Sequence, residues 1–260
     1  MSLVSSYRTN GNTSRIVELI EKQLLSMAKT EHIDLEIERI QLGHSDIRIC
    51  RGCRVCFDKG EEICPLKDDL LATRDKICQA DGILAASPVY VEDVNGIMKN
   101  WIDRMAFNCH RPTFAGKAAY IVTTSGAGSS KHAINTLKNA FTTWGINFIG
   151  SRKFRTGALM DASEMKNIYD SESKKAAAAL FQAVKDNSKL KPSFYSLMAF
   201  KIQQLSWQKA DRPHDTVDYK YWKENGWLEK DCNYYLPNHI NVLKVKFARF
   251  VGRIVAMFLI

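Results

Sequence analysis

Apolar positions along this 260-residue chain change their period in a regular order. A short apolar start, Met1, Leu3 and Val4, leads into the polar stretch S-S-Y-R-T-N-G-N-T-S over 5–14. Ile16, Leu19, Ile20 and Leu24 then recur at helical spacing, which predicts a helix over 13–28. Residues 34–40 (D-L-E-I-E-R-I) alternate with period two, as a strand near a sheet edge does. A cysteine-bearing loop follows over 43–67, after which Asp68 and Asp69 are placed to cap a helix ending at 79. The run G-I-L-A-A over 82–86 is continuously apolar, as in a strand buried on both faces. A turn near 93–96, a helix over 97–107, a strand over 117–124, a helix over 131–143, a strand around 146–154 and a helix over 163–184 complete the alternation. Strands separated by helices at these distances require a parallel sheet with helices on both faces. The prediction is a doubly wound α/β fold with five parallel strands.

That rhythm ends near Ser188, and Pro192 marks a boundary, so the chain divides into 1–187 and a helical, aromatic-rich extension over 188–260. Within the extension the spacing predicts a helix over 194–207. A segment over 217–235 is dense in aromatic and charged residues, and Gly226 stops a short helix there. The last twenty residues read as a basic amphipathic helix, with Leu243, Phe247, Phe250, Ile254, Met257 and Phe258 beside Lys244, Lys246, Arg249 and Arg253. Four cations exclude a full membrane span. The pattern suits either a helix lying in a lipid interface or one docked on protein.

Charge sharpens this picture. The net charge is +9, and residues 189–260 hold twelve Lys or Arg against six Asp or Glu, which points to an anionic partner. No nucleic-acid reading motif accompanies the basic residues, so nucleic acid is not expected. The polar start lacks the apolar core of a signal peptide, and the expected location is cytoplasmic, with membrane association through 241–260 as the alternative to protein docking. Seven cysteines in such a chain suit metal or redox use better than a disulfide framework.

Three loops follow strand ends and are rich in Gly, Ser, Thr or Pro: 5–14, 87–94 and 123–130. In a flavodoxin-like, doubly wound sheet, ligands bind beyond the carboxyl ends of the strands, where strand order reverses. The first loop has neither the Gly-Lys-Ser/Thr of a Walker loop nor G-x-G-x-x-G. What it offers is a monophosphate cradle in which Ser6, Asn12, Thr13 and Ser14 donate and Arg8 supplies charge, beside the amino end of the next helix. The same residues also make an ordinary loop with a capping Asn or Thr. With the other two loops, the cradle suits a flat, polar-edged ring carrying one phosphate, as in FMN.

Five motifs in order now resemble the NADPH-dependent FMN reductase family, and within it the iron-sulfur flavoproteins. They are S-x-R-x-x-G-N-T at 6–13, C-x2-C-x2-C-x7-C-x3-D-D at 50–69, S-P-V-Y at 87–90, G-x-x-K-x-x-x-D-R at 96–104 and T-S-G-x-G at 124–128. Ser5 stands where the family has glycine, and Tyr7 where it has proline. The resemblance implies that Ser6, Arg8, Asn10, Asn12, Thr13 and Ser14 surround the FMN phosphate. Pro88, Val89, Tyr90, Val91, Thr124, Ser125, Gly126 and Gly128 would edge the isoalloxazine. It further implies NAD(P)H as co-substrate, a small electron acceptor, a homodimer or higher oligomer, and ferredoxin as an alternative donor. The runner-up is a non-enzymatic carrier relaying electrons between proteins.

Cys50, Cys53, Cys56 and Cys64 fall within fifteen residues, so four thiolates can converge on one centre, and Arg51 and Arg54 lower their pKa. A [4Fe-4S] cluster, zinc and free thiols in a loop over the flavin all satisfy this spacing. Cys78, Cys109 and Cys232 read as core or surface residues. Asp103 and Arg104 read as a structural ion pair or cap. His44, His110 and His132 lack metal spacing.

Overall fold

A computed structural model describes the chain except residues 158–159, 187–190, 210–214 and 238. The expected boundary between 187 and 188 therefore lies outside the described residues.

Five strands form the parallel sheet: β1 (Ser2–Val4), β2 (Arg39–Gln41), β3 (Gly82–Tyr90), β5 (Ala118–Ser125) and β6 (Asn147–Arg155), in the order β2-β1-β3-β5-β6. A sixth, β4 (Asp93–Val94), pairs antiparallel with the end of β3, so the sheet has six strands rather than the five expected. Strand β1 is only three residues long, and its register is set on both sides, Val4 opposite Gln41 and opposite Ala86. The expected strand over 34–40 narrows to Arg39–Gln41 because β1 offers no longer partner, although Leu35 and Ile37 still pack on the core.

Alternation along the strands builds two cores. Leu3, Ile83, Ala85, Ala119 and Ile121 face one side, where α3 (Leu70–Gln79), α4 (Gly96–Arg104) and α5 (Lys131–Thr143) cover them. Val4, Leu84, Ala86, Tyr120 and Val122 face α1 (Asn12–Thr30) and α6 (Ala162–Lys185). Successive side chains on a strand point to opposite faces, so the continuous apolar runs read from the sequence become a sheet buried on both sides.

The extension adds a third core. Helices α7 (Phe194–Gln208), α8 (Val217–Glu224) and α9 (Val242–Leu259) enclose Phe200, Trp222, Trp227, Tyr234 and Tyr235. Phe200 stacks on Trp222 with centroids 5.3 Å apart. This core is fastened to the sheet domain: Trp222 Nε1 donates to His110 O at 2.7 Å, His110 Nδ1 lies 2.6 Å from Asp218 Oδ2, and Arg111 pairs with Asp218.

Candidate functional site

The loop 5–14 leaves β1 and enters α1 through a dense set of its own hydrogen bonds. Ser6 Oγ accepts from Arg8 N at 3.1 Å, Ser14 Oγ donates to Arg8 O at 3.1 Å, and Gly11 N donates to Arg8 O at 3.2 Å. Asn12 Nδ2 donates to Thr156 Oγ1 at 3.1 Å and Gly157 O at 2.6 Å, while Thr13 Oγ1 lies 2.6 Å from Thr124 Oγ1. Several side chains expected to donate to an anion are thus occupied in shaping the loop. Gly11 is the N-cap of α1, with no side-chain cap and no acidic residue in the first turn. The opening N-H groups and the positive end of the helix dipole are left for an anion. Arg8 and Asn10 are exposed at the rim.

The second loop is a hairpin that the sequence pattern does not reveal. Val89 pairs with Val94 and Tyr90 with Asp93, which leaves Val91 and Glu92 as a two-residue turn with φ of 50° and 66°. Such a turn is ordinarily made by Asn-Gly or Gly-Gly, and valine at positive φ is strained. Pro88 and Val89 are half-buried, while Tyr90 and Val91 are exposed at the tip. Asn95, just beyond, accepts from Met98 N at 3.2 Å as the N-cap of α4, and its Nδ2 donates to Ser5 O at 2.7 Å.

The third loop continues β5. Thr124 and Ser125 are buried, and Thr123 Oγ1 and Ser125 Oγ have no hydrogen-bond partner among the described residues. Side chains built on Gly126 or Gly128 would meet open space. Uncompensated buried hydroxyls cost stability unless a ligand or water satisfies them. Ser125, Gly128, Lys153 and Arg155 line one cleft with Glu92 of the hairpin. The three loops therefore share one sheet edge, with an open helix end, orphaned hydroxyls and cationic flanks.

Residues outside the motifs clamp this edge. Gln41 donates to Ser6 O, and His44 Nε2 lies 2.8 Å from Tyr7 O. A Cβ on Gly43 would lie 2.7 Å from Ser6 O and 2.8 Å from Tyr7 Cα, so only glycine lets the two loops approach so closely. Asn95 was legible as an Asn preceding a helix; Gln41 and Gly43 carry no local signal.

Cys50, Cys53, Cys56 and Cys64 line one cavity together with Arg51, Arg54, Asp68, Arg104 and Phe107. Gly52 and Arg54, flanking Cys53, are both left-handed, with φ of 63° and 62°, and Arg54 leads into the single-turn helix α2 (Val55–Asp58) that carries Cys56. Among the described residues no three His, Cys, Asp or Glu side chains stand as one metal-binding group. The donor set suits a thiolate-held centre by composition and shared cavity, and a centre bound there requires the sulfurs to draw together. Cys50 and Cys53 are exposed, whereas burial pushes the half-buried Cys56 thiol up.

A buried pair holds this loop. Arg104 Nη1 lies 2.5 Å from Asp68 Oδ2 and Nη2 lies 3.0 Å from Asp68 Oδ1, with the two side chains 3% and 1% exposed. Asp68 also accepts from Arg48 N and Leu70 N, and Arg104 donates to Arg48 O at 2.7 Å. Burial alone would raise the Asp68 carboxyl, but Arg104 and the two amides outweigh it and hold its pKa below the usual range. Asp69 occupies the N-cap of α3, but its side chain makes no cap bond there; it accepts from Asp46 N at 2.8 Å, and Asp68 takes the Leu70 amide. Asp103 and Arg104 are not a pair: Asp103 binds Lys99 on the surface. Asn100 completes the anchorage, accepting from Cys50 N at 3.1 Å and donating to Ile47 O.

The model of NADPH-dependent FMN reductases matches residues 1–158. The chain belongs to that family. An iron-sulfur flavoprotein of Archaeoglobus fulgidus is 29% identical over 232 residues, covering 88% of this chain and 99% of the relative. An iron-sulfur flavoprotein of Clostridioides difficile is 28% identical over 225 residues, covering 85% and 96%. Among solved structures, RosB with a bound flavin-phosphate intermediate superposes with a TM-score of 0.58 at 12% identity, over 93% of this chain and 95% of its own. An apo NADH:FMN oxidoreductase (EMOB) gives 0.52 at 17%, over 70% and 87%. At these identities the two structures establish the flavodoxin-like fold. Membership in the NADPH-dependent FMN reductases makes this an FMN-dependent flavin oxidoreductase by family.

Proposed function

We propose that the loops 5–14, 87–94 and 123–130 hold FMN, and that the protein passes electrons from NAD(P)H to a small acceptor such as a quinone, nitro or azo compound. The carrying observation is the open amino end of α1 beside the orphaned Thr123 and Ser125 hydroxyls, which matches a ligand with a phosphate at one end and a polar-edged ring at the other. Bound FMN supplies the hydride and electron transfer. The chain contributes placement and charge: N-H groups of the first turn of α1 receive the phosphate with Arg8 at the rim. Pro88, Val89 and Tyr90 wall the ring, and the 124–128 turn presents hydrogen-bond groups to its edge. No side chain at this edge is assigned as a general acid or base.

Cys50, Cys53, Cys56 and Cys64 would hold a [4Fe-4S] cluster, which would supply one-electron exchange with a ferredoxin-like donor. Its support is that one helix reaches both places. Asn95 caps α4 and holds Ser5 O, while Asn100, five residues on and about 7.5 Å along the axis, holds Cys50 N. The exposure of Cys50 and Cys53 favours a second reading, a carrier that exchanges electrons with protein partners.

Anaerobic purification with added FMN, followed by absorbance and iron assay, tests the proposal. A yellow protein with one FMN per chain, bleached rapidly by NADPH, is the expected result. A colourless protein that takes up no FMN overturns it. Reduction by ferredoxin or dithionite but not NADPH selects the carrier reading, and absence of iron removes the cluster.

A further inference from the structure

Helix α9 is built with its large residues on the wrong side for a helix that belongs wholly to the protein core. Its inward positions are small or polar: Val245, Ala248, Arg249, Gly252 and Ala256 pack against α7. A Cβ on Gly252 would lie 2.9 Å from Met198 O and 3.0 Å from Lys201 Cβ, so the two helices touch backbone to backbone. Phe250, Met257 and Phe258 point outward, 56%, 81% and 85% exposed, with Leu243 and Ile254 among them, and Phe247 joins them at 60% exposed while one part of its ring packs on Phe194 of α7, centroids 5.6 Å apart.

At 100° per residue these six occupy one arc, centred opposite the inward stripe. Lys246 and Arg253 border the arc on one side, Lys244 borders it on the other, and the helix contains no acidic residue. An apolar face lined on both flanks by cations is complementary to a surface that is apolar within and anionic at its rim. A second copy of the chain would bring the same unneutralised cations face to face. No described helix is long and apolar enough to cross a membrane.

We propose that α9 is an interfacial helix that seats the protein on an anionic lipid leaflet. The apolar arc enters the acyl boundary, and Lys244, Lys246 and Arg253 meet headgroup phosphates. This rests on the extension alone and does not depend on the FMN reading.

Flotation of the full chain with phosphatidylcholine vesicles, with and without phosphatidylglycerol, tests it, together with two variants. Phe250→Ser/Phe258→Ser changes only outward side chains and is expected to abolish flotation with near-UV circular dichroism unchanged. Lys244→Gln/Lys246→Gln/Arg253→Gln is expected to weaken binding to the anionic vesicles about 100-fold, since each cation near such a surface contributes about 1 kcal/mol, or about 5-fold. Added salt is expected to weaken the parent protein in the same direction. Failure of the parent to float, equal binding to both vesicle types, or flotation untouched by either variant overturns the proposal. So does light scattering that shows a parent dimer dissociated by the serine variant while the parent does not float, which assigns the face to a second copy.

Discussion

Removing Arg104 is expected to be far more damaging than removing a cation from an exposed pair on the same helix. Arg104→Ala leaves the Asp68 carboxylate buried without its partner, and breaking such a pair costs about 3–5 kcal/mol. Lys99→Ala breaks an ion pair whose side chains are 54% and 47% exposed, for which about 0.5 kcal/mol is expected. Urea unfolding of the metal-free, reduced protein measures both. The Arg104 cost also carries a pH signature. The folded pKa of Asp68 is depressed, so its contribution is present above the ordinary carboxylate range and is lost as pH falls through the folded value. The gap between parent and Arg104→Ala should hold steady from about pH 5 to 8 and narrow below about pH 4. Replacing both partners, Asp68→Asn/Arg104→Met, should recover about 1 kcal/mol or more of the single-variant loss, because no charge is then stranded. A cost for Arg104→Ala equal to that for Lys99→Ala, or a gap insensitive to acid, refutes the reasoning.

Three further outcomes follow from single positions. Gly43→Ala forces the backbone of Ser6 and Tyr7 to shift and should weaken FMN binding about tenfold or more in a fluorescence titration, a loss of at least about 1.4 kcal/mol. Val91→Gly relieves the strained turn at φ 50° and should leave thermal stability unchanged or raise it by about 1 kcal/mol, the strain released exceeding the added unfolded-state entropy. Lys201 is buried on α7, and burial, with Arg249 and Arg253 nearby, brings its pKa down to about 8. The unfolded chain therefore binds more protons there between about pH 8 and 10, and stability should rise with pH across that window. Lys201→Met should stabilise the protein at pH 7 in urea unfolding, and its advantage should shrink as pH rises through that window.

The sheet was legible because burial on two faces leaves uninterrupted apolar runs at 82–86 and 117–124, and because the helices between them keep a clean period. The three loops were legible because Gly, Ser and Thr cluster where strands end. The β3–β4 hairpin was hidden because Val91 and Glu92 occupy backbone angles that neither residue type advertises; the pairing of Val89 with Val94 and Tyr90 with Asp93 on either side imposes them. The late start of β2, at Arg39 rather than 34, depended on the length of its neighbour, a property of another segment. Asp68 and Arg104 lie in separate motifs 36 residues apart, and nothing local says that the second acidic residue of one motif's pair turns away while the first receives the arginine. The clamp of Gln41 and Gly43 on the first loop was unreadable for the same reason: its cause is proximity.

Asp218 sits at a junction with an experimental consequence. It neutralises Arg111, whose guanidinium also donates to Cys56 O at 2.6 Å and pairs with Glu61 at the edge of the thiol cavity. Trimming the chain ahead of α7 would thus strip a counter-ion from the scaffold of the cysteines, and the shortened protein would report that injury whatever the removed segment does. Dissecting the carboxyl-terminal third calls for point changes on its outer surface, made with the His110 and Arg111 contacts intact.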